Sequence, residues 1–451
     1  MVAFQNPSEN GTVQTRRMSL PRKKSRQLFI EDINIETFPV DKKKEPPTTF
    51  SQTIEITPKS VDFNCAYLIW IYLRKIYSVD QLVPIFKAFK LEHRKTEAPV
   101  LCKTSETYLT PLNSKVTDYQ TIQRYMQYLQ SLAEQVNMPF VNITLDVGAA
   151  INAYLVVWNN PILFKNIIIH LGSFHFLKEN FQVIGSLVAG SGFEDTVYES
   201  TLCTSGSLHG ALAGTHYNRA WYMQNTFSEA LERLFLTRFL ATEKPRIPAI
   251  LDEITMENLP EQLTVDDAFI KKFEVFRESA RQGSMGKTAQ FWLLYMDLMR
   301  YQVMAHTAIQ ENDLETLMFC WKAFLPMYFI MNKRNYARYG SYYVSQMEHL
   351  KATKPDEYGE LVKNGLSIQA QDQYPLATAC DQRGEQTINR DAKTAGGVKG
   401  YSSNHNNVTK WCLNRPNLAL ITRDLLDMAG LTHKTKYKPL RTKEIKKSES
   451  N

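Results

Sequence analysis

The stretch FVNITLDVGAAINAYLVVWNNPILFKNIIIHLGSFHFLK, residues Phe140 to Lys178, decides the predicted fold. Two short apolar runs in it, Phe140–Leu145 and Ile167–Leu171, have the length and β-branched content of buried strands. The segment between them, Ala149–Trp158, is predicted to be a helix, and another predicted helix precedes the first run. Helices that alternate with short buried strands predict an α/β core with a small, partly parallel sheet.

The ends of the two predicted strands carry the candidate chemistry. Asp146 follows the first strand, and Gly172 and then His175 follow the second. If the strands pair, an acid and a histidine meet at one edge, which suits a metal site or acid–base chemistry. The alternative for Asp146, favoured by its spacing, is a cap on the helix that follows. The alternative for His175 is a hydrogen-bonded structural residue.

Outward from this core, the composition divides the chain into five segments. Residues 1–59 are rich in Ser, Thr, Pro, Lys and Glu and are predicted to be a disordered basic tail. Residues 60–175 form the first part of the α/β core, and residues 176–368 form a large, mostly α-helical insertion. Residues 369–431 are a polar, Gly-rich return segment that completes the core, and residues 432–451 are a basic tail.

The overall composition is that of a globular protein with a modest positive charge. The chain has 451 residues, of which 43% are hydrophobic, and a formal net charge of +7. This charge permits a nucleic-acid partner without requiring one. The longest apolar stretch, Leu314–Met331, is broken by Lys322 and Pro326, so it predicts a buried helix pair and no membrane span.

Cysteine and histidine usage gives no zinc pattern. The six cysteines include no CxxC pair and are predicted to be reduced thiols. The two segments that contain both residue types, 203–216 and 380–412, lack the tight ligand pairs of a zinc site.

A basic cluster in the tail, Arg16 to Arg26, has two interpretations of equal weight. It fits a nuclear-import signal, and it fits a solvated charged tail. We predict a nuclear protein, with a cytoplasmic location as the alternative.

Three cations are candidates for contact with nucleic acid. Arg219 lies among aromatic residues, including Tyr217 and Trp221, an arrangement that allows phosphate contact with base stacking. The alternative is the solvated face of an amphipathic helix. Lys393 and Lys399 lie in the return segment near two glycines whose backbone amides could bind a phosphate, unless they only form a surface turn. That functional interpretation requires the return segment to fold back onto Asp146.

Several motifs resemble a large family of uncharacterised animal proteins. They are, in chain order, LGSFHFLKENFQVIG (Leu171–Gly185), SGFED (Ser191–Asp195), GSLHGALAGTHYNRA (Gly206–Ala220) and CDQRGEQTINRDAKTAGGVKG (Cys380–Gly400). Members of that family typically carry LG-x-FH after a strand that ends in an acid, and a later H-Y-N-R-A. The resemblance covers roughly residues 112–431, and it implies an origin in a mobile element.

The order of three residues is also similar to that in transposases with a ribonuclease-H-like core. Those proteins carry an acid at a strand tip, a strand that leads into a histidine and, after a helical insertion, a glutamate on a helix; here Asp146, His175 and Glu385 match. The similarity implies that Asp146 and Glu385 bind Mg or Mn while His175 orients or acts as a base. Such a core also needs an acid on an earlier strand, and the sequence before Asp146 predicts helix instead.

The leading hypothesis is therefore a mobile-element-derived protein that binds DNA through a transposase-type core whose activity the sequence leaves open. The alternative is a non-enzymatic helical scaffold or protein-interaction module. In that case Asp146 caps a helix and His175 only packs. The oligomeric state is not predicted.

Overall fold

The computed structural model describes residues 2–5, 39–44, 58–76, 83–93, 103–109, 117–246, 268–369 and 377–386 and the single positions 421, 425 and 428. The described strands are Val2–Gln5 (β1), Ser105–Tyr108 (β2), Val141–Leu145 (β3), Ile167–Leu171 (β4), Ser367–Ile368 (β5) and Thr378–Ala379 (β6). The described α-helices are Pro58–Ile76 (α1), Phe86–His93 (α2), Tyr119–Gln135 (α3), Val147–Asn159 (α4), Ser173–Val188 (α5), Phe193–Glu199 (α6), Ser205–Leu212 (α7), Tyr217–Glu243 (α8), Ala268–Arg281 (α9), Lys287–Glu311 (α10), Leu314–Ile330 (α11), Ser341–Thr353 (α12), Pro355–Asn364 (α13) and Cys380–Gly384 (α14). A π-helical turn, Tyr336–Gly340, precedes α12.

Two compact units divide the chain. The larger comprises Phe4–Ser105 and Ser114–Arg383 and contains the helices α1 to α13. The smaller comprises Met1–Ala3, Glu106–Asn113 and Gly384–Asn451, most of which lies outside the described residues.

The predicted α/β core is confirmed by the pairing of β3 with β4. The two strands are parallel, in a register that runs from Val141 opposite Ile167 to Leu145 opposite Leu171. Helix α4 forms the crossover between them, as parallel strands require. All five residues of β4 are buried, because α4 packs on it and α12 also contacts it. Within the described residues this sheet contains two strands.

Apart from this sheet and the short β5–β6 pair, the larger unit is mostly helical, as the sequence predicts. A buried charge network joins three of its helices. Arg277 of α9 donates to Glu232 of α8 at 2.8 Å and to Asp297 of α10 at 2.8 Å, and Arg300 of α10 donates to Glu232 at 3.1 Å. Arg277 and Glu232 are almost completely buried, so their charges depend on one another for compensation.

Two predicted helix boundaries and one predicted break differ from the structure. Helix α11 runs without interruption through Pro326, so the predicted helix pair is wrong. Pro326 is exposed, and the residues on either side of it are buried. Proline cannot donate the backbone hydrogen bond of a helix, but the packing of its buried neighbours keeps α11 continuous. The sequence pattern predicts helices that begin at Phe176 and at Phe227. In the structure α5 begins at Ser173 and α8 begins at Tyr217.

None of the described helices combines the length and the apolar character that crossing a bilayer demands. The predicted disorder of residues 1–59 falls almost wholly outside the described residues, as does the basic cluster Arg16 to Arg26.

Candidate functional site

Asp146 lies at the carboxyl end of β3 and caps the helix that follows. Its backbone is extended, with φ −65° and ψ 158°, and its Oδ1 accepts a hydrogen bond from the Ala149 N–H at 3.2 Å. The side chain is otherwise exposed. The cap interpretation that the spacing favours is therefore what the structure contains.

At the end of β4, the first turn of α5 is capped by a residue that is distant in sequence. Asp381 Oδ1 accepts from the Phe174 N–H at 3.1 Å, and its Oδ2 accepts from the His175 N–H at 2.9 Å. The same Oδ2 lies 2.9 Å from the His175 ring Nδ1. One carboxylate thus satisfies two of the free amides of the helix and binds an imidazole. It explains why α5 begins three residues earlier than predicted.

Gly172 provides the space for this carboxylate. A Cβ atom at position 172 would lie 2.3 Å from Asp381 Oδ2 and 2.7 Å from its Cγ. The backbone of Gly172, with φ −59° and ψ 120°, is open to any residue. Gly172 is therefore required because a side chain would displace the Asp381 carboxylate, and not because of its backbone conformation.

The surroundings of His175 favour its charged form. The hydrogen bond to Asp381 raises the pKa of His175; burial opposes this, and the negative charge of Asp146 adds to the rise. The positive charge of Lys178 acts in the opposite direction. With 27% of its side chain exposed, His175 remains open to solvent.

Tyr336, the first residue of the π-helical turn, completes the group. Burial raises the pKa of its hydroxyl, and the negative charges of Glu179, Asp381 and Asp146 raise it further. We call Asp146, His175, Tyr336 and Asp381 the carboxyl-edge cluster, because Asp146, His175 and Asp381 lie where the parallel strands β3 and β4 end and the two carboxylates raise the pKa of Tyr336.

The start of the return segment folds back onto this edge. Strand β6 pairs antiparallel with β5, and Cys380 Sγ donates to the Leu366 carbonyl at 2.8 Å. Burial raises the pKa of the Cys380 thiol to about 12, although a hydrogen bond with Thr144 of β3 lowers it slightly. Cys380 and Asp381 contact the core, whereas Lys393, Lys399 and their neighbouring glycines lie outside the described residues, so the phosphate-binding interpretation of the return segment stays a prediction.

The carboxyl-edge cluster does not fit a metal ion. Both oxygens of Asp381 already accept N–H donors. Among the described residues, no group of three His, Cys, Asp or Glu side chains could hold a metal. We therefore derive no metal-dependent step, and binding of Mg or Mn by Asp146 and Glu385 stays a prediction. Glu385 belongs to the smaller unit.

Arg219 lies beside the cluster at the start of α8. Its guanidinium is exposed and donates to Ser207 Oγ of α7. Two residues earlier, the Tyr217 ring lies 5.0 Å from the Phe174 ring of α5, and the negative charge of Asp381 adds to the rise that burial causes in its pKa. Lys393 and Lys399 lie outside the described residues.

The aromatic neighbours of Arg219 divide into two classes. Tyr222 is partly exposed. Trp221 packs on the core, 4.3 Å from His306 and 5.9 Å from Phe181. Trp221 is therefore a packing residue, and the Tyr217 ring also packs on the core, 5.7 Å from Phe181. Tyr222 is the most exposed of the three rings.

Asp381 lies in the polar motif Cys380–Gly400, and nothing in its residue type or spacing assigns it to the site. Only its contacts across 206 residues of sequence select it. Gly172 was the one local signal for this contact. A glycine directly before a helix that has no cap of its own indicates that another group approaches closely.

The comparison with known families places the chain. A family model described as "Domain of unknown function (DUF8702)" matches residues 90–451. The chain belongs to this family. No curated protein and no solved structure matches it.

Proposed function

We propose that this protein binds nucleic acid at the carboxyl edge of its parallel strands, and that its core derives from a mobile-element transposase. The observation that carries the proposal is the mixture of cations and aromatic rings at that edge. Lys178 Nζ lies 5.7 Å from the Phe174 ring, which in turn contacts Tyr217, and Arg219 is exposed in the same turn of α8. Cations that contact the phosphate backbone, together with aromatic rings that stack on bases, are typical of surfaces that bind single-stranded nucleic acid.

The position of this face supports the proposal. In open α/β folds, ligands bind outside the carboxyl ends of the strands. The net charge of +7 also favours a polyanionic partner. Below its raised pKa, His175 would add another positive charge at the same edge.

The His175–Asp381 pair has a positioning role in this proposal. Its carboxylate fastens the return segment to α5 and thereby holds Phe174 and Lys178 in place. Neither residue is assigned a chemical step, because no nucleophile or substrate position is defined beside them.

Fluorescence anisotropy with labelled single-stranded and duplex DNA tests the proposal. We expect the logarithm of the binding constant to fall linearly with the logarithm of salt concentration. Arg219→Gln should weaken binding and reduce the slope by about 0.7 to 0.9, the value of one phosphate contact. Arg238→Gln is the matched control, because Arg238 is exposed on the same helix about five turns away. A wild-type protein that fails to bind at low salt would overturn the proposal.

A non-enzymatic scaffold is the second candidate, favoured by the helix-capping role of Asp146 and by the fully engaged oxygens of Asp381. The two candidates differ in a cleavage assay with Mg²⁺ or Mn²⁺. DNA cleavage that is lost in both Asp146→Asn and Glu385→Gln would exclude the scaffold and support the metal-dependent core. Absence of cleavage, together with absence of DNA binding, supports the scaffold.

A further inference from the structure

A helical hairpin in the larger unit presents apolar side chains to solvent at its tip. Helix α11 ends at Ile330, and the chain reverses through Asn332, whose φ of 54° is left-handed. The Phe329 and Ile330 side chains at this turn are 63% and 69% exposed. Large exposed apolar groups side by side indicate a contact surface.

Two cations border these apolar side chains. Arg334 and Arg338 are both exposed, and within the described ranges neither guanidinium forms an ion pair with an acid. Their neighbour Lys333, in contrast, pairs with Glu179 at 3.2 Å. The Arg334 Nε donates to the amide oxygen of Asn332 at 3.2 Å, and the Arg338 guanidinium lies over the Tyr339 ring, 5.4 Å from its centroid. Neither contact neutralises the positive charge. The guanidiniums are therefore available to an anionic partner.

We propose that this hairpin tip, defined as Phe329, Ile330, Arg334 and Arg338, is a second contact surface for nucleic acid and selects single strands. The two guanidiniums bind backbone phosphates, and an unpaired base stacks on the Phe329 ring. This inference rests on the proposed nucleic-acid function and specifies its strand form.

The hairpin that forms this tip also carries Tyr336 of the carboxyl-edge cluster. The rings of Tyr328 and Tyr336, one on each arm of the hairpin, lie 5.3 Å apart. Tyr336 in turn is close enough to Asp146 and Asp381 for their charges to raise its pKa, after the larger effect of burial. A nucleic-acid strand long enough to span the hairpin from Tyr336 to its tip would contact both surfaces.

The charge and shape of the hairpin tip argue against two other partners, a second copy of this chain and a membrane. A two-fold contact between copies of this chain would bring the same guanidiniums together from both subunits, which is repulsive. A membrane-bound helix uses a continuous apolar face, whereas the tip offers two apolar side chains. A phosphate backbone complements both the positive charge and the exposed ring.

The test uses the full chain and labelled single-stranded and duplex DNA of equal length. The double variant Arg334→Gln/Arg338→Gln should reduce the salt slope on single strands by about 1.4, the value of two phosphate contacts. Phe329→Leu keeps an apolar side chain but removes the ring. It should weaken single-strand binding about 5- to 150-fold with the salt slope unchanged, as loss of one stacked base predicts.

Matched controls are Arg238→Gln for the charge and Ile162→Ala, at an 86% exposed site, for the apolar side chain. Circular dichroism melts establish that each variant folds. Because all altered side chains are exposed, the melting temperatures should not change.

The outcomes separate this inference from the proposed function. If the wild type binds DNA and both tip variants bind equally well, the hairpin tip is excluded while the proposed function stands. If the wild type binds no nucleic acid, both the proposed function and this inference are refuted. Binding of anionic vesicles without DNA binding, or a dimer that Phe329→Leu dissociates, would likewise overturn the inference in favour of a membrane or a second copy.

Discussion

Gly172→Ala should destabilise the protein by displacing the Asp381 carboxylate. The new Cβ would lie 2.3 Å from Asp381 Oδ2, a distance that forces the carboxylate away. Two charged hydrogen bonds to backbone amides and one to the His175 ring would be lost. Hydrogen bonds to charged groups contribute about 1.5–3 kcal/mol each, but water replaces part of this at a half-exposed helix end. We expect a loss of about 3 kcal/mol in the free energy of unfolding, above the roughly 0.5–2 kcal/mol of a lost cap because the hydrogen bond to the His175 ring is lost as well.

The loss of unfolding free energy in Gly172→Ala should depend on pH, because the His175 ring gains and loses a proton. Its folded-state pKa is raised, so its contribution to stability is fully present below the unfolded value of about 6.5. It disappears as the pH rises through the folded pKa. The difference between wild type and Gly172→Ala should therefore be larger at about pH 5.5, below the unfolded pKa of His175, than at alkaline pH above its raised folded pKa.

Urea unfolding followed by circular dichroism measures these differences. Gly206→Ala is the control, because a Cβ at this helical position meets nothing within 4 Å and should stabilise the protein by about 0.5–1 kcal/mol. In an Asp381→Ala background, Gly172→Ala should become nearly neutral, since the clash and the cap are both gone. An equal loss in both backgrounds would refute the role assigned to Gly172.

Three further predictions concern buried groups. Arg277→Met should cost about 3–5 kcal/mol in urea unfolding, because Glu232 and Asp297 lose their buried counter-charge; an unchanged midpoint would contradict this. Burial alone would raise the pKa of Asp297, but the charge of Arg277 lowers it to about 2. About 2 kcal/mol of stability, present above pH 4, should be lost as the pH falls towards 2, and Asp297→Asn should remove that acid transition. Gly185→Ala would place a Cβ 2.1 Å from a backbone carbonyl of α7 and should lower the melting temperature. Gly359→Ala is the control, because a Cβ there would have no atom within 4 Å and should not lower the melting temperature.

The elements around the sheet could be read from local sequence. Strand β4 has the predicted bounds, Ile167–Leu171, because a run of β-branched apolar residues that ends at a glycine has few alternatives. Helix α4 and the parallel pairing followed from the alternation of helix and strand. At the described start of the later segment, Cys380 and Asp381 contact this core; the return of the rest of residues 369–431 stays a prediction.

Helix ends and interruptions were less predictable. Pro326 predicted a break, but the surrounding residues of α11 are buried against other helices and their packing outweighs one missing backbone bond. The start of α5 was predicted too late, because its cap comes from Asp381, which local sequence cannot reveal.

The sequence by itself determined the α/β core, the mostly helical remainder and the position of Asp146 at a strand end. Those features depend on residue type and spacing within a few turns of chain. Only the tertiary structure decided that His175 pairs with Asp381, that Gly172 leaves the room for this pair, and that Tyr336 joins the cluster. These contacts join segments far apart in sequence, so they depend on which surfaces pack together, and no local periodicity encodes that choice.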